Sequence, residues 1–222
     1  MHSYFSKMPK LLFIDTSAAV ATIALSSDGV LSAIRTHENA HEQAAVINFM
    51  IEDVLQDASS KIQDVDAICI CAGPGSYTGL RVGLSTAKGL AYATNKPLML
   101  FNRLDVLSWN QQSETNFIIA LKARTGEYFI ALFDKNGHSL SEPKHAFEQD
   151  LIQYENEGFH FFMDDEALGA ISAKTVIPMD TAIDIQNWIL KAEERFVQQQ
   201  FDDLAYSEPF YLKAAFTTQS KK

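Results

Sequence analysis

The sequence is poor in cysteine, in positive charge and in long apolar runs. Only two of its 222 residues are cysteines, Cys69 and Cys71. They stand two apart in a strand-like run, so both point to one face of a sheet. They read as small buried hydrophobes of a reducing compartment, with no further ligands nearby in sequence to complete a zinc site. Lys and Arg number 18 against 28 Asp and Glu, a formal net charge of −10. Phosphate neutralisation by basic side chains supplies most non-specific affinity for nucleic acid, so this chain alone is not expected to hold RNA tightly. Arg81, Lys88 and Arg103 fall within one stretch, but on composition they read as scattered surface charge. No apolar run approaches the roughly 20 residues of a membrane helix. The first ten residues carry Lys7 and Lys10 without an apolar core, unlike a secretory signal, so a cytoplasmic protein without a membrane partner is expected.

What is present suits a globular protein: 47% apolar and 21% charged residues, enough for one large or two small domains. Leu11 to Asp15, Val20 to Ser26 and Val30 to Thr36 read as three strands, with Asp28-Gly29 as a tight hairpin turn. A helix follows, with Asn39 as N-cap and Glu42 completing a capping box. Ile47, Ile51, Val54 and Ala58 form one stripe, and Val46, Phe49 and Met50 widen it beyond one face. Such a helix must bury more than one side, against the sheet and against a second helix of this chain or a partner. Val65 to Ala72 is apolar throughout, as in a central parallel strand. A helix over Leu80 to Ala93, a strand over Pro97 to Phe101 and a helix from Leu104 to Trp109 complete a mixed sheet with crossover helices.

The second half repeats this loosely. Phe117 to Leu121 and Tyr128 to Phe133 are strands around Thr125-Gly126, and Asn136-Gly137 is a turn. A short helix spans Phe147 to Tyr154, with strands at Phe159 to Met163 and Thr175 to Ile177. Thr181 caps a long helix reaching Gln199. The tail from Pro209 to Phe216 is apolar enough to dock. The division expected is residues 1–109 and 110–222.

The central motif is AGPGSYTGLRVG, Ala72 to Gly83, between a buried strand and a helix. Backbone N–H groups and the helix dipole can receive an anion there. It is not a P-loop, since no Gly-Lys-Ser/Thr ends it. Gly73, Gly75 and Gly79 are one residue off the dinucleotide fingerprint, and Asp105 is far downstream for a ribose ligand. Gly83 and Gly89 each cost about 1 kcal/mol against Ala inside a helix. Gly79, Gly83 and Ala87 recur every four residues and make a smooth face. A helix-on-sheet contact and a partner interface explain that face equally well.

AGPGSYTGLRVG resembles the signature of the TsaB family. LLFIDTSAAVATIAL, the helix after His37-Glu38-Asn39-Ala40-His41, KARTGEYFIALF from Lys122 to Phe133, and PFYLKAAF near the end resemble it too. The first half is covered almost continuously and the second in patches. The resemblance implies an α/β fold of the actin-like, Hsp70-like kind: a tandem of two ribonuclease-H-like domains with mixed sheets, the second degenerate. It implies a non-catalytic scaffold or activator in the making of threonylcarbamoyladenosine in tRNA. Such proteins pair with a larger paralogue, TsaD, which carries the metal and transfers the threonylcarbamoyl group. TsaE, an ATPase, joins them, and tRNA is met only through the complex. The threonylcarbamoyl-adenylate substrate comes from a separate synthase. TsaD is contacted through the first two helices, which assigns Ile47, Phe49, Met50, Gly79, Gly83 and Ala87 to partner binding. A homodimer through the same face is expected when the partner is absent. No catalytic residue, metal or tightly bound cofactor is expected. A secondary reading is ATP or ADP contact at the complex interface, through Asp15, Thr16, Ser17, Gly73, Gly75, Ser76, Thr78, Arg81 and Arg124.

Other patterns compete. His37-Glu38-Asn39-Ala40-His41 spells HExxH, but with Asn39 as cap His37 lies outside the helix, against a zinc protease. TsaD paralogues carry a His-x-x-x-His metal pair after the strand that here ends at Phe101. Arg103 and Leu107 stand at those places, and neither is a usual ligand. Asp15-Thr16-Ser17 takes the place of the first phosphate loop of actin-like ATPases, yet a lone strand-end Asp also serves as a turn residue. The expected glycine-rich adenosine loop is replaced by Phe162-Met163-Asp164-Asp165-Glu166. Lys122 stands where the family has Asp, while Arg124 is kept. No Ser-His-Asp set assembles, and His138, His145 and His160 read as surface or loop residues. The alternatives are a stand-alone actin-like ATPase or sugar kinase and, behind it, a nucleotide-binding oxidoreductase.

Overall fold

Residues 8–164 and 176–212 are described by the computed structural model. The chain opens with β1 (Lys10–Asp15), β2 (Ala21–Ser27) and β3 (Val30–His37). Asp28 and Gly29 take φ of 54° and 78°, the two positive values that a two-residue I′ hairpin turn requires. Next come α1 (Gln43–Asp57), β4 (Ala67–Cys71), α2 (Tyr77–Thr94), β5 (Leu98–Phe101) and α3 (Arg103–Ser108). The strand order is β3-β2-β1-β4-β5. The β1–β2 and β2–β3 pairs are antiparallel, and β1–β4 and β4–β5 are parallel.

The two helix starts differ from the expected ones for the same reason. Asn39 does not cap α1: its Oδ1 accepts from the His41 N–H at 3.1 Å, closing a local turn, and the helix begins at Gln43. Helix α2 begins at Tyr77, because Ser76 Oγ accepts from the Gly79 N–H at 3.2 Å. Short polar side chains bond the nearest free N–H, and spacing alone does not say which.

The second sheet contains β6 (Phe117–Arg124), β7 (Glu127–Phe133), β8 (Lys144–Phe147), β9 (His160–Met163) and β10 (Val176–Pro178). Its order is β10-β9-β6-β7-β8. Pairs β6–β7 and β7–β8 are antiparallel, and β6–β9 and β10–β9 are parallel. This is the first sheet's topology again, with β6 in the place of β1. Helix α4 (Glu148–Asn156) supplies Leu151 and Tyr154 to a core with Ile118, Tyr128, Ile130 and Phe161. Thr175 lies outside the described residues, as do Asp165, Glu166 and the tail beyond Leu212.

The division at residues 109 and 110 needs one amendment. The first unit is residues 1–110 with 182–209, and the second is 111–181 with 210–222. The long helix, α5 (Ile185–Val197), returns to the first sheet. Its cap is Asp184, whose Oδ1 accepts from the N–H groups of Gln186 (2.8 Å) and Asn187 (3.3 Å), rather than Thr181. Trp188, Ile189 and Ala192 cover Leu11, Phe13, Cys69, Cys71, Met99 and Phe101. Trp188 sits edge-on to Phe13 and Phe101, with ring centroids 5.1 and 5.6 Å away. Alternate strand residues point to the opposite face, where Ile70 reaches α2 at Gly83.

Candidate functional site

Asp15, Thr16 and Ser17 end β1 and are all buried. Asp15 Oδ1 accepts from the Ser17 N–H at 2.8 Å and the Ser17 hydroxyl at 2.5 Å. Its Oδ2 accepts from Arg103 Nη1 at 2.9 Å, and the same nitrogen donates to Ser17 Oγ at 2.7 Å. Arg103 is 4% exposed. Burial works against its charge, but the Asp15 carboxylate and, after it, the neighbouring Cys71 together offset this and hold the guanidinium above its ordinary pKa. Removing one member of such a buried pair typically costs about 3–5 kcal/mol, because the other is left uncompensated. The Cys71 thiol lies 3.4 Å from Ser17 Oγ. Burial, then the nearby Asp15 charge, push its pKa up to about 12, so it is neutral and unreactive at pH 7.

The glycine loop folds onto the same strand end. Arg103 N–H donates to Gly73 O at 2.7 Å, and Ser76 N–H to Ser17 O at 2.8 Å. A Cβ on Gly75 would stand 2.1 Å from Ser17 O, so only glycine lets the two backbones approach. Helix α2 then crosses Thr16. A Cβ on Gly79 would meet Thr16 O at 2.0 Å, and one on Gly83 would meet Thr16 Oγ1 at 2.2 Å. Thr16 Oγ1 donates to Gly79 O at 2.7 Å. Gln43, at the start of α1, closes the corner by donating to Ala18 O at 3.0 Å.

The outward sides of α1 and α2 have a different character. Phe49 is 66% exposed and Tyr92 81%. Ala44 and Ala45 of α1 and Ser85, Gly89 and Ala93 of α2 are exposed as well. Arg81 is exposed too, its guanidinium 4.1 Å from the Tyr77 ring centroid.

With this geometry in view, the chain can be compared with known proteins. The model of the family described as TsaD: tRNA N6-adenosine threonylcarbamoyltransferase matches residues 30–208. The chain belongs to that family. Within it the chain is of the TsaB or YeaZ type. It is 31% identical to the TsaB biosynthesis protein of Escherichia coli over 134 residues, 58% of this chain and 57% of that one. The Haemophilus influenzae TsaB is 27% identical over 93% of this chain and 94% of its own length. A Clostridium botulinum threonylcarbamoyltransferase is 36% identical over 102 residues, only 30% of its length. A Pseudomonas aeruginosa protein with similarity to peptidase YEAZ superposes with a TM-score of 0.79 at 19% identity, covering 93% of this chain and all of that one. YeaZ from the same organism gives 0.74 at 20% identity, over 92% of this chain and all of its own. The fold is thus that of the YeaZ-type proteins, an α/β tandem of two mixed five-stranded sheets of matching strand order, as the sequence resemblance implies.

For a TsaB-type chain, several expected site residues fall elsewhere than sequence placed them. Gly79 and Gly83 are buried against the chain's own strand end and Ala87 is buried too, so these three do not form an outward surface. Ile47 and Met50 are 2% and 7% exposed and face inward, leaving Phe49 alone of the α1 group on the surface. The structure does bring Asp15, Thr16, Ser17, Gly73, Gly75 and Ser76 together. Thr78 and Arg81 lie just beyond, exposed on the first turn of α2. Arg124 and Lys122 lie on β6, in the second unit. Arg81, Lys88 and Arg103 form no basic patch: Arg103 is buried, and Lys88 Nζ donates to Ala205 O and Ser207 O.

The remaining patterns resolve likewise. His37 ends β3 and His41 precedes α1, so HExxH does not lie on one helix. Leu107 is fully buried beside Arg103 in α3. Among the described residues, no three His, Cys, Asp or Glu gather as a metal-binding group. His145 is a strand residue rather than a loop residue, paired with Glu127 Oε2 at 2.7 Å, and His160 opens β9 beside Ser113 Oγ at 3.1 Å. Sequence reading missed the Asp15–Arg103 pair altogether. Its signal was an Arg immediately after a buried strand, a place where charge demands a partner.

A magnesium nucleotide, which an actin-like fold implies, does not fit this strand end. The Asp15 carboxylate is taken up on both oxygens, and a buried cation already faces it. A divalent metal needs hard oxygen ligands that are available to it.

Proposed function

We propose that this chain is the non-catalytic accessory subunit of a tRNA threonylcarbamoyladenosine-forming complex. It binds a TsaD-type transferase through the outward sides of α1 and α2, a TsaE-type ATPase joins them, and tRNA is met through the assembly in the cytoplasm. One observation carries the reading: Phe49 and Tyr92 stand exposed on two adjacent helices that also expose small residues. Exposed aromatics amid a low, small-residue surface suit a helix-packing interface, where large anchors supply most of the affinity. The likeness to proteins named for threonylcarbamoyladenosine biosynthesis supports placing it in that pathway. The same face is proposed to pair two copies when the transferase is absent. Any ATP or ADP contact is proposed to arise at the complex interface, beside Gly75, Ser76, Thr78 and Arg81.

A stand-alone ATPase or sugar kinase is disfavoured by the strand-end pairing described above. The test is reconstitution. The chain is mixed with the longer paralogue from the same genome and passed over a sizing column, and modified adenosine is measured with TsaE and tRNA. Co-elution, and modification that depends on the chain, are expected. Failure to co-elute with or without nucleotide would sink the proposal.

A further inference from the structure

We propose that Arg103 is a resident cation: its guanidinium neutralises Asp15 at a strand end where an actin-like fold would use a metal and phosphate, while its main chain, rather than a nucleotide, ties down the glycine loop. The inference goes beyond the accessory role and stands independently of it.

Three observations converge on that guanidinium. Its charge is matched locally. Asp15 Oδ2 accepts from Nη1 at 2.9 Å, while Asp15 Oδ1 is already held by Ser17 N–H and hydroxyl. Its position is fixed from the backbone side as well. Arg103 N–H donates to Gly73 O at 2.7 Å and Ala72 N–H to Phe101 O at 2.8 Å, so the loop's first residues are tied to the start of α3. The loop's other end is tied to β1 through Ser76 N–H and Ser17 O. And the cluster is buried: Asp15, Ser17, Cys71 and Arg103 are each 4% exposed or less.

One residue performs two tasks here: its guanidinium neutralises the Asp15 carboxylate, and its main-chain N–H holds the loop at Gly73. A positive charge already beside Asp15 repels an entering divalent cation and competes with it for Oδ2. The consequence is a loop and an α2 N-terminus whose conformation does not respond to nucleotide.

The test uses thermal melting of the purified full chain. The wild type should show no shift with magnesium ATP or ADP. Arg103→Ala should melt lower by about 5 °C or more. Guanidinium chloride at low, non-denaturing concentration should restore much of that loss, where equal sodium chloride or urea does not. If Arg103→Ala fails to fold, Asp15→Asn combined with Arg103→Met removes both charges together. That double variant should fold, melt closer to wild type and ignore guanidinium. The idea is overturned if magnesium nucleotide raises the wild-type melting temperature and Asp15→Asn abolishes the rise. It is overturned equally if Arg103→Ala melts like wild type, or if the double variant is as damaged as the single one.

Discussion

Gly83 and Gly89 lie six residues apart on α2 and carry the same helix-propensity penalty, yet their surroundings are opposite. A Cβ on Gly83 would run into Thr16 Oγ1 at 2.2 Å, whereas one on Gly89 would meet nothing within 4 Å. The first glycine belongs to a face pressed onto the chain's own strand end. The second belongs to a face that no described residue of this unit covers at that point. Thus α2 carries two narrow faces, one explained by internal packing and one proposed to meet another protein. A repeat of small residues says only that something comes close. It does not say what.

The difference can be broken most forcefully at Gly79. Its added methyl would meet Thr16 O, a backbone atom that cannot swing aside, at 2.0 Å. Gly79→Ala should therefore destabilise the isolated chain by about 3 kcal/mol, as overpacking does in tight cores. Urea denaturation would measure it. A loss below a few tenths of a kcal/mol would show that α2 is not seated on Thr16.

The outward face should respond the other way round. Phe49→Asp or Tyr92→Asp places a charge on an exposed apolar surface, so the stability of the isolated chain should move within about 0.5 kcal/mol. Affinity for the TsaD-type partner should fall tenfold or more, about 1.4–3 kcal/mol, as for an interface anchor. Calorimetric titration of partner into each variant separates the two effects. Unchanged affinity for both variants would remove this face from the proposed interface.

Thr16 sharpens the inward half. The group that obstructs Gly83→Ala is a side-chain hydroxyl, so Thr16→Ala should make room for it. The double variant should be more stable than the sum of the two single losses by about 1 kcal/mol, the coupling expected of touching groups. Simple additivity would mean that Gly83 and Thr16 do not meet.

How much of this was legible beforehand follows from the physics of each signal. The β2–β3 hairpin could be read because Asp28-Gly29 names a specific turn. The β4–loop–α2 unit could be read because a buried apolar run meets a glycine loop. Strand β8 could not: of Lys144, His145, Ala146 and Phe147, only Ala146 is buried, so no alternation marks it. The return of α5 to the first unit was equally hidden. Periodicity shows that Trp188, Ile189 and Ala192 share a face, but not which sheet receives it. The two faces of α2 look alike in sequence because Gly79, Gly83 and Gly89 all register as missing side chains. Arg103 looked like a lost metal ligand. Only the fold shows that its charge is used, against an Asp 88 residues earlier.

The finest test of the comparison is the smallest substitution on the open side. Gly89→Ala adds one methyl where nothing stands within 4 Å, at a position whose φ is not in the left-handed region. It should stabilise the isolated chain by about 0.5–1 kcal/mol, from better helix propensity and a less flexible unfolded chain. The same methyl roughens a surface proposed to receive a partner, so affinity for the TsaD-type protein should drop even as the melting temperature rises. No simple loss of folding can produce that opposite movement of two measurements. Glycine at this place would then be kept for assembly and against stability, whereas glycine at position 83 serves stability itself. If Gly89→Ala raises stability and leaves affinity untouched, the partner does not approach this turn of α2, and the interface must lie nearer Phe49.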